Sequence, residues 1–168
     1  MTPPGYRPGV IGEIVRLHAE YYAREWGFGL AFEAKVAGEL SQFLLGFRPG
    51  ADFFRAERDA HDALLGTISL EAPGENEPLA HLRWFMTADS ARGTGLGRAL
   101  LSAALRHADD AGFPGTYLTT FAGLAPARHL YESCGFRLVS EAAIDRWSGG
   151  VREQRFERPP GGHGQASS

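Results

Sequence analysis

The chain has 168 residues, of which 43% are hydrophobic and 22% charged, and its formal net charge at pH 7 is −3. This profile is typical of one globular domain that is large enough to bury its own core. The single cysteine, Cys134, excludes an internal disulfide and a cysteine-based zinc cluster, and the sequence has neither an apolar run of membrane-spanning length nor a dense basic patch for nucleic acid. We therefore expect a cytoplasmic protein that binds neither membranes nor nucleic acid.

The first third of the chain is expected to be mostly helical. Residues 1–9 are rich in proline and glycine and should be extended, with a short edge strand beginning at Tyr6 and Arg7. Helical spacing of apolar residues predicts helices over Val10–Trp26 and Ala31–Phe47. The expected core stripes are Val10, Ile14, Leu17, Tyr21 and Trp26 in the first helix and Phe32, Val36, Leu40, Phe43 and Leu44 in the second.

Three strands are predicted next. Strands at Asp52–Glu57 and Ala63–Glu71 should form a hairpin, and Leu79–Thr87 should be the central strand of a sheet. Strict alternation along the central strand would place Leu79, His81, Arg83 and Phe85 on one face and Ala80, Leu82, Trp84 and Met86 on the other.

A glycine-rich stretch, Arg92 to Arg98, follows the central strand and opens a helix. Small residues let backbone N–H groups point into one concavity, and the helix N-terminus adds about half a positive charge, so such loops bind anions, most often phosphate. The dinucleotide fingerprint is incomplete because Arg98 replaces its third glycine, and the P-loop lysine is missing. A tight strand-to-helix turn without a ligand is the alternative.

The second half of the chain should alternate helices and strands. Gly95–Ala111 is predicted to be a helix, followed by a strand at Thr116–Phe121 and a helix at Pro126–Ser133. The buried stripe of the longer helix is expected to be Leu96, Ala99, Leu100, Ala103, Ala104 and His107. Strands at Phe136–Glu141 and Val151–Glu157 should pair, and residues 159–168 should form a disordered tail.

Two motifs carry a family resemblance. Arg92-Gly93-Thr94-Gly95-Leu96-Gly97 resembles the pyrophosphate loop of the GNAT family of N-acetyltransferases, and Tyr131-Glu132-Ser133-Cys134-Gly135-Phe136 resembles its Tyr-x-x-x-Gly-Phe element. The resemblance covers about Ile11 to Glu157. It implies an α/β, single-domain GNAT fold over residues 10–158, with a mixed, mostly antiparallel sheet, a V-shaped splay and about four flanking helices. More loosely, Tyr6–Gly9 and Thr120–Leu124 look like the acetyltransferase half of MarR/GNAT fusion proteins.

The resemblance also implies a cosubstrate and its binding residues. Acetyl-CoA would lie in the splay between the central strand and the Thr116–Phe121 strand, and no metal would be needed. The backbone near Phe85, Met86 and Thr87 would bind pantetheine as an added strand does. The amides of Arg92, Gly93, Thr94, Gly95, Leu96, Gly97 and Arg98 would hold the pyrophosphate.

The catalytic residues are expected on the same cleft. The family's tyrosine protonates the leaving thiolate, and Tyr131 stands at that position. Many members carry a base, a glutamate, on the central strand; here His81 is the titratable residue of that strand with an ordinary pKa near neutrality. Glu71, Glu25 and ordered water remain alternatives. Leu124 stands where the family often has an asparagine.

The expected function is transfer of acetyl from acetyl-CoA to a primary amine by direct attack. The acceptor would be a small molecule or a protein amine, and a homodimer is one of the assemblies that the sequence leaves open. The alternative from another class is a non-catalytic acyl-CoA-binding sensor or regulatory module.

Overall fold

The computed structural model describes residues 2–122, 125–142 and 152–161. The described helices are α1 (Val10–Trp26), α2 (Leu30–Leu45), α3 (Leu96–Asp110) and α4 (Ala125–Ser133), with a 3₁₀ turn at Asp89–Ala91. The strands are β1 (Phe53–Arg58), β2 (Leu64–Glu71), β3 (Ala80–Thr87), β4 (Thr116–Phe121), β5 (Arg137–Glu141) and β6 (Glu153–Arg158). They form one six-stranded sheet in the order β1-β2-β3-β4-β6-β5.

The centre of the sheet opens into a cleft. β3 and β4 run parallel, whereas the other neighbouring strands are antiparallel. Only two residue pairs join β3 to β4, Ala80 with Thr116 and His81 with Tyr117, and beyond them the two strands separate. The predicted α/β fold, with its mixed sheet and V-shaped splay, is therefore confirmed.

Each face of the sheet has its own core. On one face, α3 and Tyr131 of α4 pack over apolar side chains of β2, β3, β4 and β6. On the other face, α1 and α2 cover Phe54 of β1 and Trp84 of β3. Gly27 ends α1 in the left-handed region, at a φ of 69°, and its N–H donates to the Ala23 carbonyl, which is the usual glycine stop.

The predicted helix ends agree with the structure better than the predicted buried stripes do. α1 has the predicted ends, and the five core residues predicted for α2 are all buried. The α1 stripe is wrong at Leu17 and Tyr21, which are only partly buried, because His18 and Tyr22, each one residue on, are the residues that face the core. The α3 stripe is rotated by one residue, since Ala99 is exposed and the buried residues are Leu100, Leu101, Ala104, Leu105 and Ala108.

A β-bulge breaks the predicted alternation of β3. Thr67 pairs with Met86 but Ser69 pairs with Arg83, so Trp84 and Phe85 both lie opposite one residue of β2. Trp84 has a φ of 48°, and its ring packs among α1 and α2, whereas Phe85 packs on the opposite core. The prediction that Phe85 shares a face with His81 and Arg83, and Trp84 with Leu82, is therefore wrong: the extra residue reverses the faces.

The chain ends differ in part from expectation. Residues 2–9 contain two turns, and the edge strand expected at Tyr6 and Arg7 does not form. At the other end, Gly161 N–H donates to Asp109 Oδ1 at 3.0 Å, and Arg158 forms an ion pair with the same carboxylate. The rest of the predicted disordered tail, residues 162–168, lies outside the described residues.

Candidate active site

The glycine-rich loop presents an uncapped helix start. Gly93 and Gly95 have φ values of 75° and 84°, which a residue with a Cβ adopts only under strain. Gly95 is the N-cap residue of α3, and having no side chain it forms no cap hydrogen bond. The Thr94 hydroxyl instead donates to the Ala91 carbonyl at 2.5 Å and holds the turn together. The Leu96 N–H donates to Thr94 Oγ1 at 3.4 Å, so the N–H groups of Gly97 and Arg98 are the ones left for an anion.

A cavity of about 480 Å³, the loop cavity, lies between this loop, β3 and α4. Most of the expected cosubstrate residues line it, namely Phe85, Met86, Thr87, Arg92, Gly93, Gly95 and Gly97. Thr94, Leu96 and Arg98 do not. Leu96 packs against the sheet core, and the exposed Arg98 donates to Ser133 Oγ at 3.3 Å. Arg92 is exposed and pairs with Asp89 at 3.1 Å.

Tyr131 lies at the end of the loop cavity, on α4. It is 7% exposed, and its ring packs against Phe85, Phe136 and Phe156 at centroid distances of 6.1, 6.0 and 6.4 Å. Burial raises the pKa of Tyr131 above its ordinary value. The phenol therefore keeps its proton at neutral pH and can act as a hydrogen-bond donor.

A second cavity of about 160 Å³, the cleft cavity, fills the gap where β3 and β4 separate. Tyr22, Phe85, Thr120 and Tyr131 line both the cleft cavity and the loop cavity. The two cavities therefore meet at Tyr131. His18, His81 and Phe121 also line the cleft cavity, so the structure brings His81 and Tyr131 to the same cavity.

His81 is held in a stack of flat groups. Its ring lies 4.2 Å from that of Tyr117 at an interplanar angle of 14°, and the Arg155 guanidinium carbon lies 3.9 Å from the centre of the Tyr117 ring. Burial, together with the charges of Arg83 and Arg155, lowers the pKa of His81 to about 3. The imidazole is neutral at physiological pH and binds protons weakly.

A third cavity of about 840 Å³, the acidic cavity, lies beyond His81, between α2 and the end of β2. Lys35, Glu39, His81 and Arg83 line both this cavity and the cleft cavity. Five carboxylates and three cations line it among the described residues, namely Glu39, Asp52, Glu71, Glu75 and Glu77 against Lys35, Arg48 and Arg83. Its lining thus has more carboxylates than cations, and Arg155 offsets part of that excess by pairing with Glu77 at 3.0 Å.

The alternative bases lie farther from the cleft. Glu71 lines the acidic cavity, and Arg83 donates to it at 3.4 Å. Glu25 lines none of the three cavities and pairs with Arg24 at 3.2 Å. The position of Leu124 lies outside the described residues.

Sequence reasoning missed two residues of the site, His18 and Glu39. His18 continues the spacing of Val10 and Ile14 along α1, which was a usable signal. Glu39 pairs with Arg83 across α2 and β3, a contact that only the fold creates.

Two kinds of feature are absent from the described residues. They contain no group of three or more His, Cys, Asp or Glu side chains placed to hold a metal ion. No helix among them is long and apolar enough to span a membrane.

Residues 11–136 match the Acetyltransferase (GNAT) family, and the chain belongs to that family. The match includes both motifs singled out above, the glycine-rich loop and the Tyr131–Phe136 element. The expected family membership and enzyme class, a GNAT-type N-acetyltransferase, are confirmed.

Relatives agree with this assignment. An uncharacterized N-acetyltransferase of Schizosaccharomyces pombe is 27% identical over 122 residues, covering 73% of this chain and 74% of the relative. A mycothiol acetyltransferase of Acidothermus cellulolyticus is 38% identical over 96 residues, covering 51% of this chain but 29% of the relative. A GCN5-related N-acetyltransferase from Kribbella flavida has the same fold, with a TM-score of 0.72 and 22% identity over 92% of this chain and 95% of the other.

Proposed function

We propose that the protein transfers acetyl from acetyl-CoA to a primary amine by direct attack. The observation that carries the proposal is the position of Tyr131 in the wall shared by the loop cavity and the cleft cavity. A thioester reaching in from one side and an amine from the other would meet beside a buried, protonated phenol.

The loop cavity suits acetyl-CoA. The uncapped start of α3 and the positive-φ glycines offer N–H groups to a pyrophosphate. Beyond His81, β3 has no pairing with β4, so an extended amide chain such as pantetheine can add along it near Phe85, Met86 and Thr87. Arg92 and Arg98 are exposed on either side of the loop and would add charge.

Tyr131 and His81 would divide the proton chemistry. The amine must lose a proton to attack, and the departing thiolate must gain one. Tyr131 would donate to the thiolate. His81, neutral and weakly basic, would accept a hydrogen bond on the acceptor side and pass the proton on through water rather than store it; Glu71 and Glu25 remain the alternative bases.

The acceptor would enter through the acidic cavity. Its excess of carboxylates attracts the ammonium form of an amine. The acidic cavity also shares lining residues with the cleft cavity, so an amine bound in one can reach the other. The likeness to a mycothiol acetyltransferase over half of the chain favours a small-molecule acceptor over a protein. A cytoplasmic location, a homodimer and the likeness to MarR/GNAT fusions stay predictions. The non-catalytic alternative is not favoured, because the named relatives are acetyltransferases.

The test is an amine panel with acetyl-CoA. Spermidine, tyramine, glucosamine, lysine methyl ester and a lysine-containing peptide cover linear, aromatic, sugar, amino-acid and protein amines. Thiol release would be followed in real time and the acetylated amine confirmed by mass spectrometry. Thiol release with matching acetyl-amine supports the proposal. Tight binding of acetyl-CoA with no acetyl-amine from any member would contradict it and favour the sensor.

A further inference from the structure

His18 is a buried histidine whose tautomer is fixed by its own helix. The residue is 5% exposed, and its Nδ1 lies 2.8 Å from the carbonyl oxygen of Ile14. A carbonyl oxygen can only accept a hydrogen bond, so Nδ1 carries the proton. In the neutral ring the other nitrogen, Nε2, then bears a lone pair and can only accept.

The lone pair on Nε2 has no partner among the described residues. Nε2 is itself fully buried. Buried polar atoms are rarely left in that state, so an unused acceptor of this kind calls for a ligand or a water. The Nδ1 bond holds that side of the ring against α1, and therefore Nε2 points away from the helix.

His18 is one of the residues that line the cleft cavity. Tyr131 and His81 line the same cavity, and the aromatic residues Tyr22, Trp84 and Phe121 complete the wall near α1. An acceptor beside aromatic side chains discriminates strongly, because a ligand without a matching donor leaves it unsatisfied.

We propose that His18 Nε2 accepts a hydrogen bond from an N–H or O–H group of the amine acceptor and so determines which amines are acetylated. The inference rests on the proposed function and deepens it. The acetyl-CoA molecule enters from the loop cavity, which His18 does not line. Its binding should therefore not depend on this side chain.

Two variants separate a substrate contact from a structural role. In His18→Asn, the side-chain amide can still donate to the Ile14 carbonyl, but the acceptor at the Nε2 position is gone. In His18→Gln, the longer side chain can bring its carbonyl oxygen near the Nε2 position, while the bond to Ile14 is lost. The measurements are kcat/KM for the best amine of the panel, Kd for acetyl-CoA and Tm.

The proposal predicts that His18→Asn loses roughly ten-fold or more in kcat/KM for the amine, the cost of one hydrogen bond. Its acetyl-CoA Kd and Tm should stay near the wild-type values, and His18→Gln should recover part of the loss despite a lower Tm. Wild-type kcat/KM in His18→Asn, or losses that follow Tm in both variants, would overturn the inference alone. Wild-type protein that acetylates no amine of the panel would overturn the proposed function and the inference with it.

Discussion

His81 and Tyr117 stack on each other at the last residue pair that joins β3 to β4. Their rings therefore lie at the apex of the cleft, where the two strands separate. Arg155 of β6 covers the other face of Tyr117. Arg155 is itself held by ion pairs with Glu77 and Glu157, so β6 also contributes to the packing at the apex. This arrangement lies at the point where the acidic cavity meets the cleft cavity, since His81 lines both.

Tyr131→Phe should remove catalysis and leave cosubstrate binding intact. The ring would keep its contacts with Phe85, Phe136 and Phe156 but lose the proton for the thiolate. We expect kcat to fall by about 10²- to 10⁴-fold, the usual range for a general acid, with an unchanged Kd for acetyl-CoA. Thiol-release assays give kcat, and calorimetry gives the Kd for acetyl-CoA.

Tyr6→Phe is the matched control, since Tyr6 is exposed and lines none of the three cavities. It should behave as wild type in both assays. A Tyr131→Phe enzyme with wild-type kcat would show that the phenol is a packing residue and that another group protonates the thiolate.

The stability of the fold should decrease as the pH falls from 7 to 5. Burial lowers the pKa of His18 to about 4, from an ordinary value of 6.5. Between these values the unfolded chain binds a proton that the folded chain does not, so the free energy of unfolding falls as pH decreases. For this residue the loss from pH 7 to pH 5 is about 2 kcal/mol.

Urea unfolding at both pH values measures this loss in wild type, His18→Asn and the exposed control His61→Asn. The asparagine at position 18 cannot titrate, so the drop in unfolding free energy should shrink by about 2 kcal/mol. The control should retain the full drop. An equal drop in wild type and His18→Asn would place the responsible protonation elsewhere.

The sequence revealed the elements of this fold because their periodicity is local. The ends of α1 and β4 agree with the predicted ends, and the buried face of α2 was identified in full. The bulge at Trp84 could not be foreseen, because it depends on how β2 and β3 pair. It nevertheless matters to the site, since it turns Phe85 toward Tyr131.

Asp52→Ala should destabilise the protein strongly. The Asp52 side chain is 2% exposed and accepts from the backbone N–H groups of Arg48 and Ala72, each at 2.8 Å. Removing it leaves both donors without their partner, at a cost of about 2–4 kcal/mol. The exposed Asp59 also accepts from two backbone N–H groups, those of His61 and Ala63. Asp59→Ala is therefore the matched surface control for Asp52→Ala.

Water can replace the Asp59 carboxylate, and its loss should cost about 1 kcal/mol or less. Chemical denaturation of the two variants gives the comparison. Equal losses of unfolding free energy in the two variants would mean that burial of Asp52 does little to increase the stability that its hydrogen bonds contribute.

Gly115→Ala should strain the junction of β4 and β6. A Cβ at this position would lie 2.8 Å from the backbone oxygen of Arg158 and 3.0 Å from Leu79 Cδ2. Because a backbone atom cannot move aside cheaply, we expect a loss of about 1–3 kcal/mol in unfolding free energy. Gly74→Ala, where a Cβ would meet nothing within 4 Å, should be neutral, and equal Tm values for the two variants would refute the close approach.

The site itself was only partly accessible to sequence reasoning. Tyr131 and the glycine-rich loop belong to contiguous motifs, and both line the loop cavity. His81 and His18 come from different elements that meet only after β3 and β4 separate. The low pKa of His81 likewise follows first from its burial in the fold and then from the charges of Arg83 and Arg155, and Arg155 is remote from it in sequence.

Calorimetric titration with acetyl-CoA tests the central claim most directly, with desulfo-CoA and NAD as controls. If the loop cavity holds the cosubstrate, both CoA species should bind with micromolar Kd and NAD should not bind, because only the CoA species carry the pantetheine arm that adds along β3. No heat with any CoA species would contradict the account and leave Arg92 to Arg98 as a structural turn.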